Sequence, residues 1–258
     1  MLPDWNKLAD EISEWILRYA KENKISCLVV GVSGGIDSAV TSTLCAKTGL
    51  STIVVNMPIN QEKSQYALSN QHIEWLTSKW DNVTTQIIDL SETYAVLKSK
   101  LVDSDVSELS MANTRARIRM TTLYALAGSS NGIVVGTGNK VEDFGIGFYT
   151  KYGDGGVDIS PIADLYKSEV YSLAESLEVI QSIREAPPTD GLWDDGRTDE
   201  DQIGATYEEL EWAMKEIENP SKEKILNERL AEVMRIYLKF NQINSHKMNP
   251  IPIFKFNR

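Results

Sequence analysis

The chain has 258 residues, 42% of them hydrophobic, and a formal net charge of −11. This length and apolar content fit one α/β domain with a full core. The negative charge argues against general affinity for nucleic acid or an anionic membrane, because such a chain gains nothing from counterion release or from the surface potential. No run of about eighteen apolar residues and no signal-peptide pattern occurs, so we expect a soluble, cytoplasmic protein.

Hydrophobic periodicity predicts an amphipathic helix from Trp5 to Tyr19, followed by alternating strands and helices. Strand-like runs occur at 27–32, 52–57, 84–88 and 132–137, and helical patterns at 36–47, 62–79, 91–102, 108–128, 206–217 and 222–242. Apolar strands joined by helices predict an α/β fold, a doubly wound parallel sheet with helices on both faces. Cys27 and Cys45 lack metal-type spacing and are interpreted as core residues. We expect residues 1–258 to form a single domain.

The first strand runs into the sequence SGGIDS at 33–38, which predicts a phosphate site. Gly34 and Gly35 can adopt positive φ and have no Cβ, so consecutive amides can converge on one anion. The following helix adds unpaired N–H groups and its positive dipole end. The Gly-Lys-Ser/Thr end of a Walker A loop is absent, which favours pyrophosphate over a γ-phosphate clamp. An ordinary glycine-bearing turn is the alternative interpretation.

Two carboxylates near this loop are candidate Mg²⁺ ligands. Asp37 lies inside the phosphate loop and would repel its ligand unless a cation stood between them. The fourth strand ends in GTGNKVED, where Thr137 can contact a nucleotide and Glu142 supplies a second carboxylate. A lone Glu on a helix is usually solvated, so this prediction requires the first and fourth strands to be neighbours in the sheet.

Three arginines lie on the helix that precedes the fourth strand. Arg115 and Arg119 are four residues apart, and Arg117 points about 160° to 200° away from each of them. At least one arginine therefore faces inward or towards a partner, where a guanidinium recognises carboxylate or phosphate. The alternative is three exposed arginines that serve only solubility.

Residues 144–167 form a glycine-rich stretch that is too irregular for an ordinary connection, and long loops of this kind are often functional. Lys151 and Lys167 could neutralise phosphates there. Asp154 or Asp158 could accept a hydrogen bond from a ribose hydroxyl or an amine.

A second irregular stretch, 185–204, is acidic and rich in turn residues. It is either a solvated loop or a segment that orders over a bound ligand. His72 is interpreted as a helix-surface residue, whereas His246, beside Lys247, points weakly to anion contact.

Together these segments resemble the ammonia-dependent NAD synthetases, members of the ATP pyrophosphatase family whose loop reads SGGxDS. The resemblance covers about residues 5–254, and TKYGDGG is its most specific segment. The matching motifs are SGGIDS at 33–38, ARIRM at 116–120, GTGNKVE at 136–142, FYTKYGDGGVDISPIADLYK at 148–167, PPTDGLW at 187–193, TDE at 198–200 and HK at 246–247.

The resemblance implies an adenine nucleotide alpha hydrolase-like fold and a two-step amidation. The nicotinate carboxylate of deamido-NAD attacks the α-phosphate of ATP, pyrophosphate leaves, and ammonia displaces AMP from the acyl-adenylate. No nucleophilic side chain is required, so catalysis would consist of positioning and charge neutralisation. The resemblance also implies a homodimer with deamido-NAD at a twofold interface. Because the chain leaves no room for a nitrilase-like amino-terminal region, we expect free ammonia, or ammonia from a partner, as the nitrogen source.

Position within these motifs implies three sets of site residues. The implied ATP contacts are Gly31, Val32, Ser33, Gly34, Gly35, Ile36, Asp37, Ser38, Thr137, Lys167 and Thr189. The implied deamido-NAD contacts are Arg117, Lys151, Asp158, His246 and Lys247, and the implied Mg²⁺ ligands are Asp37 and Glu142.

Two other hypotheses stay open from the sequence. One keeps adenylation but changes the acceptor, as in relatives that amidate or thiolate carbonyls on nucleotides or tRNA; the acidic charge argues against tRNA and TKYGDGG against the others. The second is a nucleotide-binding sensor or storage protein with a degenerate active site.

Overall fold

A computed structural model of the chain describes residues 3–60, 63–187, 198–220 and 227–256. Its strands are β1 (Cys27–Gly31), β2 (Ser51–Asn56), β3 (Val83–Ile87) and β4 (Gly132–Val134). The α-helices are α1 (Trp5–Glu22), α2 (Ile36–Lys47), α3 (Lys63–Lys79), α4 (Ser91–Lys100), α5 (Glu108–Ser129), α6 (Lys167–Ser176), α7 (Gln181–Arg184), α8 (Asp199–Ile203), α9 (Tyr207–Glu218) and α10 (Glu228–Met248), and a π-helix spans Lys140–Ile146.

The four strands form one parallel sheet in the order β3-β2-β1-β4. β1 pairs on one side with β2 and on the other with β4, so that Val29 lies opposite Ile53 and Val134. Since neighbouring parallel strands end at the same edge, the segments that follow β1 and β4 are brought together. The condition on which the prediction for Glu142 depends, that the first and fourth strands are neighbours, is therefore met.

Helices cover both faces of the sheet because alternate residues of each buried strand point to opposite sides. Leu28 and Val30 pack in a core with residues of α1, α2 and α6. Cys27 and Val29 pack in a second core with residues of α4 and α5. The doubly wound α/β fold is therefore confirmed, and Cys27 and Cys45 are free, buried core residues as interpreted.

The carboxyl-terminal helices form an apolar cluster of their own with the π-helix. Val141 and Ile146 of the π-helix pack there with Leu210 of α9 and Val233 of α10. α10 continues to Met248, beyond its predicted end at 242. This cluster therefore anchors the segment that follows β4, which carries Glu142.

His72 is fully buried, so the prediction that it lies on a helix surface is wrong. Its Nε2 is 2.9 Å from Ser42 Oγ on α2, and its ring stacks on Trp75. Burial lowers the pKa of His72 to about 4, which keeps the imidazole neutral near pH 7. The buried face of α3 thus includes two polar residues, Ser69 and His72, which the pattern of apolar residues does not assign to that face.

None of the helices in the described part of the chain combines the length and the apolar character that a membrane span requires.

Candidate active site

The SGGIDS loop connects β1 to α2, which begins at Ile36 with Gly35 as its N-cap. Two serine hydroxyls fix the turn. Ser38 Oγ donates to the Gly35 carbonyl oxygen at 2.9 Å, and the Gly35 N–H donates to Ser33 Oγ at 3.2 Å. The first amides of α2 have no partner within the helix and are available to an anion. The geometry of a phosphate loop is therefore present.

Gly34 is the residue of the loop that must be glycine. Its φ is +93°, and a Cβ there would lie 2.8 Å from the Gln65 carbonyl oxygen and 3.1 Å from the Ser69 nitrogen. α3 therefore backs directly onto the loop. Gly35 has φ −87° and ψ 160°, an extended conformation, so the expectation of positive φ holds for Gly34 and not for Gly35.

Asp37, Glu142 and Lys167 meet beside this loop and are called here the carboxylate–lysine centre. Lys167 Nζ lies 2.6 Å from Asp37 Oδ2 and 2.9 Å from Glu142 Oε1. The three residues come from the first turn of α2, the π-helix and the start of α6. Three implied site residues, distant in sequence, are thus in direct contact, and the lysine is only 3% exposed.

Asn139 positions both carboxylates of the centre. Its Nδ2 donates to Asp37 Oδ1 at 3.1 Å. Its Oδ1 accepts the N–H groups of Val141 and Glu142 at 3.0 and 3.1 Å, so it caps the π-helix. Asn139 is fully buried, and the sequence analysis did not single it out although it lies within GTGNKVED.

Tyr207 is a further member of the site that the sequence analysis missed. Its hydroxyl donates to Glu142 Oε1 at 2.6 Å and lies 3.1 Å from Asp199 Oδ2. Its ring centroid is 4.8 Å from Lys167 Nζ. Burial and the adjacent carboxylates raise the pKa of Tyr207 far above its ordinary value, so the hydroxyl keeps its proton.

The charges of Lys167 and Glu142 support each other, whereas burial raises the pKa of the Asp37 carboxyl despite the attraction of Lys167. Burial alone would lower the pKa of the Lys167 ammonium, but Asp37 and Glu142 hold it above its ordinary value. Burial raises the pKa of the Glu142 carboxyl, and Lys167 together with the Tyr207 hydroxyl more than offsets this effect. The ammonium and the Glu142 carboxylate are therefore both charged at neutral pH.

The donor set of this centre fits Mg²⁺, because two carboxylates already direct oxygens at one cationic atom. No cluster of three or more His, Cys, Asp or Glu residues with metal-binding geometry occurs among the described residues. A metal bound by Asp37 and Glu142 would therefore need phosphate oxygens and water as further ligands, which is usual for Mg²⁺.

The other implied ATP contacts lie at the same edge of the sheet, with one exception. Gly31 ends β1 and Val32 follows it, and Thr137 lies half-buried beyond the end of β4. Thr189 lies outside the described residues, as does half of the acidic stretch 185–204, whose described carboxyl-terminal part includes α8.

Four of the implied deamido-NAD contacts lie together at the end of α10 and are called here the cationic cluster: Arg117, Lys151, His246 and Lys247. Lys151 Nζ donates to the His246 carbonyl oxygen at 2.9 Å, and Arg117 Nε donates to the Lys151 carbonyl oxygen at 3.4 Å. Within the described ranges, neither Arg117, Lys151 nor Lys247 forms an ion pair.

α10 also holds the carboxyl end of the π-helix. Asn241 Nδ2 donates to the Gly145 carbonyl oxygen at 2.7 Å, and Asn244 Nδ2 donates to that of Ile146 at 2.8 Å. Lys247 Nζ donates to the carbonyl oxygen of Gly147, the C-cap of this helix. The π-helix thus links the carboxylate–lysine centre to the cationic cluster.

Asp158, the fifth implied deamido-NAD contact, forms its hydrogen bonds with α5 and β4 and, as far as the structure describes the chain, none with this cluster. Its Oδ1 accepts from the Tyr124 hydroxyl at 3.1 Å and its Oδ2 from the Val134 N–H at 2.8 Å. Tyr124 lies two turns along α5 from Arg117, on the same side of the helix. Asp158 therefore ties α5 to β4, farther along the helix than the cluster.

The prediction that at least one arginine of α5 faces inward is confirmed by Arg119. Its Nε donates to the Met57 carbonyl oxygen, 2.9 Å away, just beyond the end of β2. Burial, and to a smaller extent Arg115, lower the pKa of Arg119 to about 10. Arg115 lies over the Tyr94 ring at 5.2 Å, whereas Arg117 is exposed.

The TKYGDGG segment is fixed against α5. A Cβ at Gly153 would lie 2.8 Å from Ala116 Cβ, so the loop and the helix approach too closely for a side chain there. Thr150 Oγ1 donates to Asn113 Oδ1 at 2.8 Å, and the Thr150 N–H donates to Asp154 Oδ1 at 3.0 Å. This packing positions Lys151 beside Arg117.

Known proteins are similar to this chain in sequence and in fold. A family profile described as NAD synthase matches residues 8–251. The NH3-dependent NAD+ synthetase of Alkaliphilus metalliredigens is 38% identical over 255 residues, which cover 94% of this chain and 96% of that protein.

Two solved structures extend the likeness to the fold. The NMN synthetase from Francisella tularensis has a TM-score of 0.87 and 29% identity, with 99% of this chain and 100% of that one covered. The NH3-dependent NAD synthetase from Campylobacter jejuni has a TM-score of 0.79 and 26% identity, with 98% and 100% covered. With a family profile and a relative that both span most of its length, this chain belongs to the NAD synthase family.

Proposed function

We propose that this protein amidates deamido-NAD to NAD with ammonia at the expense of ATP. The observation that carries the proposal is the Lys167 ammonium, held between Asp37 and Glu142 at the mouth of the SGGIDS loop. A phosphate loop and a cation position at one sheet edge are what the adenylation of a carboxylate requires. Membership in the NAD synthase family supplies the substrate class.

The reaction then proceeds in two steps. A carboxylate oxygen of the nicotinate ring attacks the α-phosphorus of ATP, and the bond from that phosphorus to the bridging oxygen of pyrophosphate breaks. Ammonia attacks the carbonyl carbon of the acyl-adenylate, AMP leaves, and the nitrogen loses one proton to give the amide. No step needs a covalent bond to the protein.

Different residues of the chain bind the phosphates of ATP, hold the metal and orient its ligands. The amides at the start of α2 bind the phosphates of ATP, and Lys167 donates to phosphate oxygens once nucleotide is bound. Asp37 and Glu142 would hold Mg²⁺, which, when bound, neutralises charge on the phosphates. Tyr207 and Asn139 orient the carboxylates. Thr137 contacts the nucleotide from the end of β4, and Thr189 is proposed as a contact by its motif alone.

The cationic cluster binds the second substrate. In the part of the chain that the structure describes, Arg117, Lys151 and Lys247 donate to backbone carbonyl oxygens and not to carboxylates, so their charge is available to the phosphates of a dinucleotide. Asp158 accepts from a ribose hydroxyl farther along α5. We also propose a homodimer with this site at its interface, one NAD synthetase domain over residues 1–258, and a cytoplasmic location, which agrees with two free, buried cysteines.

A second candidate acceptor is nicotinate mononucleotide. The likeness to the NMN synthetase structure from Francisella tularensis favours it, because that structure covers the whole chain at a TM-score of 0.87. Adenylation and amidation would be unchanged, and only the part of the acceptor that meets the cationic cluster would differ.

The test is pyrophosphate release by the purified protein with ATP and Mg²⁺, with deamido-NAD or nicotinate mononucleotide as acceptor and ammonium or glutamine as nitrogen source. We expect release with deamido-NAD and ammonium, accompanied by NAD. Release only with the mononucleotide would establish the second candidate. Nucleotide binding without any release would favour a sensor.

A further inference from the structure

We propose that the Lys167 ammonium occupies the metal position of the carboxylate–lysine centre in the free protein, and that divalent metal enters only when a nucleoside triphosphate draws the ammonium away. The inference deepens the proposed function and rests on it only in taking Asp37 and Glu142 as metal ligands. It adds an order of binding, in which metal arrives with the nucleotide and not before it.

The geometry allows one cation at a time. Lys167 Nζ is 2.6 Å from Asp37 Oδ2 and 2.9 Å from Glu142 Oε1, so it lies between the two oxygens. Mg²⁺ binds carboxylate oxygens at about 2.1 Å, so an ion that bridged these two oxygens would sit in the space that Nζ fills.

The surroundings favour the ammonium as long as no ligand is bound. The Lys167 side chain is only 4% exposed, and the Tyr207 ring lies 4.8 Å from Nζ. Two carboxylates and one ammonium leave a formal charge of −1 in the centre. A divalent ion beside an unmoved ammonium would therefore meet too little negative charge.

The structure also provides a way for the ammonium to move. α6 begins at Lys167. The N–H of its N-cap residue, Tyr166, donates to Glu169 Oε2 at 2.8 Å, and this capping bond fixes the backbone at Lys167. The four-carbon side chain keeps rotatable bonds. Asp37 lies in the first turn of α2, so phosphates bound at the amides of that turn come close to Nζ.

Phosphate oxygens can then replace the carboxylates as acceptors of the ammonium N–H groups. This transfer leaves Asp37 Oδ2 and Glu142 Oε1 facing the cleft with a formal charge of −2. The incoming metal can bind these two oxygens and the phosphates of the same nucleotide.

The first test measures Mn²⁺ binding to the full chain by electron paramagnetic resonance without nucleotide. The wild type and Lys167→Arg, the control that keeps the charge, are expected to show no saturable binding at this site. Lys167→Met, of similar length but uncharged, is expected to bind Mn²⁺ at least about tenfold more tightly, a gain of about 1.4 kcal/mol. Adding Asp37→Asn to Lys167→Met should remove that gain.

Two results would overturn the proposal. One is Mn²⁺ binding to the wild type as tight as to Lys167→Met. The other is a gain in Lys167→Met that survives Asp37→Asn, since the metal would then be bound elsewhere.

A second measurement covers the case in which Lys167→Met does not fold, because that variant leaves buried carboxylates without a counter-charge. The thermal midpoint of the wild type is recorded with Mn²⁺ alone, with a non-hydrolysable ATP analogue alone, and with both. We expect no shift with Mn²⁺ alone and, with both, a shift larger than that with the analogue alone. A shift with Mn²⁺ alone that Asp37→Asn abolishes would contradict the inference.

These readouts need no turnover. A protein with the expected Mn²⁺ behaviour and no amidation of either acceptor would retain the inference and refute the proposed function. A protein that amidates an acceptor but binds Mn²⁺ without nucleotide would refute the inference and retain the proposed function.

Discussion

The carboxylate–lysine centre and the cationic cluster differ in the groups that surround their cationic side chains. In the centre, Lys167 is paired with Asp37 and Glu142 and is 3% exposed. In the cluster, Lys151 and Lys247 donate to backbone carbonyl oxygens. The centre is therefore internally neutralised to a large degree, whereas the lysines of the cluster form no ion pair within the described ranges.

Because of this difference, we expect the two regions to respond differently to substitution. A buried ion pair is costly to break, because the remaining charge loses its partner away from water. A cation at the surface contributes to ligand binding mainly when the ligand is present. Changes in the centre should therefore reduce catalysis or stability strongly, and changes in the cluster should mainly weaken one substrate.

The largest expected effect is that of Asp37→Ala. It removes one of the two carboxylates proposed to hold Mg²⁺, and we expect pyrophosphate release to fall by at least about 10³-fold. The matched control is Asp10→Ala on the exposed face of α1, which should release pyrophosphate as the wild type does. Retained activity in a folded Asp37→Ala protein would refute its role as a metal ligand.

Gly34→Ala tests how rigidly the loop supports the centre. The new Cβ would meet the Gln65 carbonyl oxygen at 2.8 Å in a backbone with φ +93°, so we expect a loss of about 2–4 kcal/mol in the free energy of unfolding. Gly35→Ala is the control, because its nearest contact would be Ser33 Oγ at 3.4 Å and its φ is negative. Chemical denaturation measures the free energy of unfolding of both variants. An equal loss in the two would show that Gly34 has no special steric requirement.

The burial of His72 of α3 against Ser42 of α2 makes the free energy of unfolding depend on pH. Its folded pKa is about 4 and its ordinary value is 6.5, so between these values only the unfolded chain binds the proton. The contribution of neutral His72 is complete above pH 6.5 and is lost as the pH falls towards 4, by up to about 3 kcal/mol. Urea unfolding of the wild type and of His72→Asn from pH 4 to 7 measures this loss in the free energy of unfolding. The variant should show a flatter profile, and identical profiles would contradict the assignment.

The smallest expected effect is that of Lys151→Ala in the cationic cluster. Loss of one ammonium should raise the KM for deamido-NAD about tenfold, equivalent to about 1.4 kcal/mol, and leave the KM for ATP nearly unchanged. Lys98→Ala, at the end of α4, serves as the control. If both KM values rose equally, the cluster would not be specific to the second substrate.

Much of the fold could be predicted because its signals are local. The predicted helix at 36–47 coincides with α2, and the predicted strand at 27–32 differs from β1 by one residue at its end. β1 is apolar on both faces and is followed by the glycine-bearing turn, so pattern and turn chemistry agree. The sequence did not predict that β1 and β4 are neighbours, because the order of strands in a sheet depends on packing between segments that are distant in sequence.

The site was also predictable where its residues lie in local sequence motifs. SGGIDS and GTGNKVED identified Asp37 and Glu142, but the partnership of Glu142 with Tyr207 joins positions 65 residues apart. Thr206 and Glu209 form a capping box that indicates a helix start at Tyr207. Nothing in that local pattern indicates where the hydroxyl points. His72 was misassigned because its polar ring is satisfied by Ser42 inside the core.

The π-helix that carries Glu142 has a consequence for how this chain can vary in length. It runs from its cap Asn139 to Gly147, and both ends are tied to other parts of the molecule. Insertion or deletion of one residue would rotate all residues beyond it about the helix axis and separate the Glu142 carboxylate from Lys167 and Tyr207. Substitutions at exposed positions such as Phe144 change only the surface there. Between Asn139 and Gly147, therefore, the number of residues is constrained throughout, whereas residue identity is free to vary only at exposed positions.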